Sequence, residues 1–320
     1  MPILNRTELY KYLWELRPAS SPKTIQGKVS GIYSLYQIRH GPSTTVDTDW
    51  FKNYDEVLEA VRTKPDSSRG WYLSSAAFLN NDARLPKGQV LEDPIHVEIR
   101  EQNKKQLEHA ESGEMTKRQK DNWMEYEKVV ELWNKLFENA KELFRKPELK
   151  KMELRELTEF MALTLTAGIF FPPRRSEWVE VKWQNYDPEK DNYLDLPHNR
   201  FVLNTYKVSK YYGKHYVEFP EEFREIVVKF IEKTKMRKNL TDVQATYLIT
   251  NTDGGKLTES TLATTLNRVF GKNISTTMLR HIYKTYQYES IPSLKQMRED
   301  AEKMGHGLLT SLQYIKKRDV

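Results

Sequence analysis

Between Trp123 and Phe144, the residues Trp123, Tyr126, Val130, Trp133, Phe137, Ala140 and Phe144 follow one another in alternating steps of three and four. Because 3.6 residues complete one helical turn, these steps put all seven on a single stripe of an α-helix. An amphipathic helix of this length gains its stability by burying the stripe against a second element. The next segment provides one: residues 154–170 are apolar almost all round, which predicts a second, more deeply buried helix, and Pro147 separates the two. The back half of the chain is therefore committed to a helix-packed core.

The remaining pattern fits this commitment. The first hundred or so residues predict short helices over 7–16, from Ser21 onward, over 55–61, and from Asp66 or Ser67. Ser21 is placed as N-cap with Pro22 at the first helical position. Residues 102–119 are almost wholly polar and are expected to join two domains; a solvated helical face is the other reading of that stretch. Further on the period changes. Residues 192–197, 200–207 and 214–219 carry strand-type patterns and predict a small antiparallel sheet with a hairpin turning near Tyr211–Gly213. The segment WVEVKW after Glu177 is expected to be helical. Helices resume over 221–233, from Thr258 to Gly271, and over 275–286, 293–303 and 311–318. The expected fold is mainly α with a small antiparallel β-sheet: a helical domain over residues 1–105, a linker over 106–118 and a larger domain over 119–320.

Composition narrows the function classes. The chain has 320 residues, and 51 Lys+Arg against 45 Asp+Glu make it basic, with a formal net charge of +6. This balance favours a nucleic-acid partner without requiring one. There is no cysteine, so disulfides, thiolate metal sites, a cysteine nucleophile and zinc fingers are excluded. The seven histidines are scattered without metal-ligand spacing, and no phosphate-loop, dinucleotide-binding or G-x-S-x-G run occurs. No apolar run approaches the roughly 18 residues of a membrane span, and the N-terminal residues lack an apolar signal region. The expectation is a soluble intracellular protein with no membrane partner.

Four separated stretches carry chemistry: Arg174-Arg175-Ser176-Glu177; Lys207 and Lys210 in the expected hairpin; Thr277 to His281 in a helix; and Gly305-His306, eight residues before Tyr314. Taken singly each has a plain structural reading as cap, solvated charge or packing. Their order is more specific. LTAGIFFPPRRSEWVEVKW over residues 165–183 resembles the block T-G-x-R-x-S-E-x-x-x-L-x-W of the tyrosine recombinase (phage-integrase-type) family, with IFFPP inserted before the arginine. TMLRH resembles the family's H-x-L-R-H block, and MGHGLLTSLQY resembles L-G-H…T-x-x-x-Y. The variants PPRR, NTYKVSKYYG and MLRHIY are most similar to the branch found in large eukaryotic DNA viruses and associated mobile elements. The resemblance covers roughly residues 115–320.

The resemblance implies a two-domain clamp on DNA, with a helical core-binding domain preceding a catalytic domain. It implies cutting and rejoining of double-stranded DNA through a covalent 3′-phosphotyrosine, by a homo-oligomer (dimer or tetramer) on DNA, without metal, ATP or other cofactor. If the source is viral, the compartment would be the nucleus or a cytoplasmic replication site. Residue by residue, Arg174 and Arg280 would clamp the nonbridging phosphate oxygens, and Lys207, with Lys210 as the alternative, would protonate the leaving 5′-oxygen. His306 would bond a phosphate oxygen or orient the nucleophile, Tyr314 would attack, and Glu177 would hold an arginine or histidine. Geometry leans towards an exposed Tyr314 hydroxyl, since Leu308, Leu309, Leu312 and Ile315 would form the apolar stripe of its helix.

Two departures stand out. Thr277 occupies the place of the family's usual histidine, and a hydroxyl can hydrogen-bond but cannot act as an acid or base near neutral pH. His281 points about 100° away from Arg280 on the helix and is read as a structural or supporting group. Only six residues follow Tyr314, which implies assembly through surfaces other than a C-terminal tail. In the first domain, Lys23, Thr24, Lys28, Ser68, Arg69 and Tyr72 stand near two helix starts and are candidates for DNA contact, since helix N-termini with basic and hydroxyl side chains suit phosphate. A type IB topoisomerase and a catalytically silent DNA-binding relative are the alternative functions.

Overall fold

The computed structural model describes residues 3–80, 93–236, 240–288 and 294–315. The chain divides into two compact units, Met1–Ser112 and Gly113–Val320.

The first unit opens with strand β1 (Ile3–Asn5), paired antiparallel to β2 (Thr45–Asp47), a two-stranded element absent from the helical expectation. Between them lie α1 (Arg6–Leu16) and α2 (Pro22–His40); α3 (Tyr54–Arg62), α4 (Asp66–Asn80) and α5 (Pro94–Ser112) follow. Ser21 caps α2 as expected, accepting from the Thr24 amide with Pro22 in the first turn. The core gathers Leu9, Leu13, Ile25, Ile32, Phe51, Val57, Leu73 and Ile95.

The polar stretch is helical as far as Ser112, the alternative reading of it, and the division between the units at Ser112/Gly113 falls within the 106–118 segment expected as linker. Ile95 is buried and Ile99 packs on the core, so α5 is anchored by its first turns while its remainder presents a solvated face. Helix then resumes at α6 (Lys117–Asn122), with Thr116 and Gln119 forming a reciprocal cap.

In the second unit, α7 (Tyr126–Arg145) packs on α8 (Lys151–Thr166), as the stripe demands from Tyr126 on; Trp123, expected on the same helix, is the extended residue that closes the preceding α6. Residues 160–166 of α8 are all buried. The two threonines among them are satisfied: Thr164 bonds the Phe160 carbonyl and accepts from Trp133 Nε1, and Thr166 bonds the Ala162 carbonyl. The helix ends earlier than expected because Gly168 takes φ +84°, and a Cβ there would lie 2.6 Å from the Tyr283 ring. The segment expected to be helical after Glu177 is one 3₁₀ turn (Glu177–Glu180) running into β3 (Val181–Lys182), with Trp178 and Val181 pointing into the core.

The sheet has the order β3, β4 (Asn192–Asp195), β5 (Arg200–Leu203), β6 (His215–Glu218). It is mixed, not antiparallel throughout, since β3 runs parallel to β4. The expected tight hairpin is a longer loop containing a helical turn, α9 (Ser209–Tyr212). Then come α10 (Glu221–Lys235), α11 (Asp242–Thr246), α12 (Glu259–Phe270), capped by Thr258 and closed by Gly271 in the left-handed conformation, α13 (Thr276–Gln287), α14 (Leu294–Lys303) and α15 (Leu308–Leu312). The last helix, expected over 311–318, begins at Leu308 and ends at Leu312, with residues 313–315 beyond it; Ser293 and residues 316–318 lie outside the described residues.

Candidate active site

The site is built on four elements of the second unit. After Gly168 the chain passes through Pro172-Pro173, which deliver Arg174 into the interior, where it is 0% exposed. Its Nη1 donates to the Lys303 carbonyl at 2.7 Å, so the guanidinium caps the C-terminus of α14. It lies 5.3 Å over the Tyr206 ring, and Nη2 is 3.9 Å from Glu177 Oε1. The turn after α14 passes so close that a Cβ on Gly305 would stand 2.8 Å from Nη2 of Arg174; Gly305 also has φ +75°. A glycine is required there on both counts.

On α13, Arg280 is buried and donates from Nη2 to Thr277 Oγ1 at 3.2 Å. Its guanidinium lies 4.6 Å over the ring of Tyr314. Burial draws both arginines below the usual guanidinium range, though a guanidinium stays charged in such surroundings. His306 is buried, its ring 5.1 Å from that of Tyr314. Desolvation, then the charges of Arg280, Arg175, Lys284 and Arg174, push its pKa down to about 3, so it is neutral.

Tyr314 is buried, contrary to the expectation of an exposed hydroxyl. Helix α15 ends at Leu312; Ser311 on it and Tyr314 in the turn beyond point inward, while Leu309 is 79% exposed. The leucines do not form the inward stripe; the tyrosine is held by polar contacts instead. Arg175 Nη2 donates to Tyr314 Oη at 3.3 Å, and His281 Nδ1 bonds the Tyr314 carbonyl at 2.8 Å. The supporting place read for His281 thus has a concrete form: it fixes the backbone of residue 314. Two tyrosines at the C-terminal end of α13 are differently engaged. Tyr283 packs on Gly168 and Tyr126, and Tyr288 bonds Lys284 at 2.8 Å.

The loop between β5 and β6 is tied at its base. The buried Asn192 bonds both the amide and the carbonyl of Thr205, and Tyr206 Oη donates to the Gly213 carbonyl at 3.0 Å. Lys207 follows Tyr206, and the charge of Arg175, then burial, then Arg280 lower its pKa. These influences associate Lys207 with the arginines; Lys210 lies on the exposed turn α9.

The polar accounting is incomplete in one place. Nε and Nη2 of Arg174, Nε and Nη1 of Arg280 and both ring nitrogens of His306 are buried without a hydrogen-bond partner. Buried guanidinium donors left unpaired are costly, by several kcal/mol, and a tetrahedral oxyanion satisfies them. The arrangement can therefore hold a phosphate beside a tyrosine hydroxyl, with an ammonium of lowered pKa available as proton donor. Among the described residues, no group of three or more His, Asp or Glu forms a metal site. No described helix is long and apolar enough to cross a membrane.

Sequence reasoning missed two residues. Arg175 was passed over because its motif position is variable. His215, on β6, is half-buried near Arg174, with Nε2 buried and unbonded; burial, then Arg174, push it down to about 4.

The six candidates of the first unit are not gathered together. Helices α2 and α4 run antiparallel, with Lys28 bonding Ser74 at 2.5 Å and Ser34 within 3.3 Å of Tyr72. The start of α2 thus lies about 24 Å along the helix axis from the start of α4. Arg69 donates to the carbonyls of Lys64 and Arg62, both at 2.9 Å, and pairs with Asp66. Ser68 bonds the Pro65 carbonyl, and Thr24 lies 2.9 Å from Ser21 Oγ. Lys23 and Thr24 are exposed.

No protein-family model and no curated protein sequence matches the chain. Among solved structures it is similar to the XerA recombinase, at 13% identity and a TM-score of 0.41, covering 98% of this chain and 94% of that one. It is also similar to the integrase of transposon Tn1549 in complex with transposon right-end DNA, at 14% identity and a TM-score of 0.42, covering 99% and 96%. With both TM-scores below 0.5, the chemistry has to be read from the site's own residues.

Proposed function

We propose that the second unit is the catalytic domain of a site-specific tyrosine recombinase or integrase acting on double-stranded DNA. The observation that carries this reading is the meeting of unpaired, buried donors from Arg174, Arg280 and His306 at the buried Tyr314. Tyr314 Oη attacks the scissile phosphorus, forming a 3′-phosphotyrosine and releasing the 5′-oxygen. Arg174 and Arg280 bind the nonbridging oxygens as charge builds on them. Lys207 protonates the leaving oxygen, a task made easier by its lowered pKa. Glu177 steadies Arg174, and Thr277 steadies Arg280. Rejoining is the reverse reaction and draws on the stored phosphotyrosine bond.

Contact between the first unit and DNA is proposed for the start of α2, at Lys23 and Thr24, which are exposed near the helix N-terminus. Assembly as a dimer or tetramer on DNA, and an origin in a viral or mobile element, belong to the same reading. Binding to duplex should weaken steeply with salt, as counterion release requires.

The test is incubation with supercoiled plasmid and with a two-site recombination substrate, quenched by denaturant. The expected outcome is a covalent protein–DNA adduct and exchange between sites. Relaxation without exchange would assign a type IB topoisomerase instead, and no adduct would leave a DNA-binding protein without cleavage.

A further inference from the structure

Arg175 reaches the oxygen of Tyr314, and nothing in the motif assigns it a task. Its Nη2 donates to Tyr314 Oη at 3.3 Å. Its charge is the first influence on Lys207 and contributes at Arg280 and His306, so it faces the whole cluster. The other groups near the tyrosine are turned to different work. Thr277, standing where a histidine was expected, accepts from Arg280 and brings no charge. His281 bonds the carbonyl of residue 314, not its hydroxyl. Arg280 lies over the ring face and interacts electrostatically with the tyrosine, but gives its hydrogen bond to Thr277.

We propose that Arg175 is a catalytic residue of strand cleavage, the cationic donor on the nucleophile's oxygen, in compensation for threonine at position 277. The assignment rests on Tyr314 being the nucleophile. As the O–H proton of Tyr314 passes to water and the O–P bond forms, negative charge on Oη is met by a guanidinium already bonded to it. The P–O5′ bond breaks and the 5′-oxygen takes its proton from Lys207, while Arg175 keeps its own protons throughout. Preorganised donors of this kind are effective because they need no rearrangement when charge develops.

Substrate chemistry separates this role from the two nearest alternatives. The full chain is assayed for single-turnover cleavage of nicked duplexes carrying three different reacting phosphates. The first is an ordinary phosphodiester. The second is a 5′-bridging phosphorothiolate, whose sulfur leaves without a proton donor. The third is a methylphosphonate, which lacks the charge that a phosphate clamp neutralises. Arg175→Gln is expected to slow cleavage of all three by about 100-fold, with duplex binding preserved, and Arg175→Lys to recover about tenfold of that loss.

Rescue of Arg175→Gln on the methylphosphonate would make Arg175 part of the phosphate clamp. Rescue on the phosphorothiolate would make it a partner of Lys207, and an unchanged rate would make it a bystander. Each of these overturns the assignment. If Arg175→Gln does not fold, Arg175→Lys decides by the same pattern on the three substrates. A wild-type chain that forms no adduct on the ordinary substrate removes the nucleophile itself, an outcome distinct from a wild-type adduct with an indifferent Arg175.

Discussion

Arg69, near the start of α4, and Arg280, in α13, put the same side chain to opposite uses. Arg69 spends its donors on the carbonyls of Lys64 and Arg62 and on Asp66, and its side chain is partly in solvent. Arg280 is buried, with Nε and Nη1 bonded to nothing. A guanidinium satisfied by its own fold is doing structural work. One buried and unsatisfied holds free energy that an external anion releases. Both arginines were candidates for DNA contact from sequence, and only the tertiary partners separate them.

The contrast breaks most visibly in cleavage. Arg174→Ala and Arg280→Ala should each slow adduct formation by about 10³-fold, near 4 kcal/mol in the barrier, as for a lost oxyanion donor. Single-turnover kinetics on a nicked duplex would check this. Arg69→Ala should leave the same rate within about threefold while lowering stability by about 1 kcal/mol in urea titration. A cleavage loss in Arg69→Ala comparable to that in Arg280→Ala would erase the distinction.

Gly305→Ala sharpens the comparison from the side of the clamp. The substitution meets both a positive φ and Arg174 at 2.8 Å. Stability should fall by about 2 kcal/mol, with cleavage impaired because Arg174 must shift. Chemical denaturation and adduct kinetics measured together would show both effects.

Acid titration probes the same field more gently. His306 and His215 have folded pKa values of about 3 and about 4, below the 6.5 of the free side chain. The unfolded chain therefore binds more protons on acidification. The stability from these two groups is complete above pH 6.5 and is lost as pH falls from 6.5 towards 4 and 3. Between pH 7 and pH 5 each should contribute about 2 kcal/mol of that loss, and His306→Gln should flatten the slope by its share. A bound phosphate should reduce the loss, since its charge opposes that of the arginines.

Local chemistry was legible wherever it is decided within one turn of chain. Ser21 with Pro22, Thr258, Gly271 and the stripe of α7 from Tyr126 on all stand where capping rules and periodicity put them. Arg174, Lys207, Arg280, His306 and Tyr314 could be picked out by order, and the structure brings their segments together. What could not be read was decided by partners distant in sequence. The antiparallel packing of α2 on α4 separates the two helix starts, and Gly168 ends α8 where the Tyr283 ring leaves no room. Polar contacts to Arg175 and His281 turn Tyr314 inward against the apolar pattern of its own helix. The polar run to Ser112 left two readings open for a related reason: a helix anchored mainly by its first turns looks like a linker in sequence.

The most direct test of the central claim is Tyr314→Phe on a nicked suicide duplex, with binding and covalent adduct measured on the same preparation. The substitution removes one oxygen and keeps the ring between His281, His306 and Arg280. The account predicts duplex affinity within about threefold of wild type, since the ring and its packing are kept, and no adduct at any time. An adduct formed by Tyr314→Phe at the wild-type rate would place the nucleophile elsewhere and contradict the account.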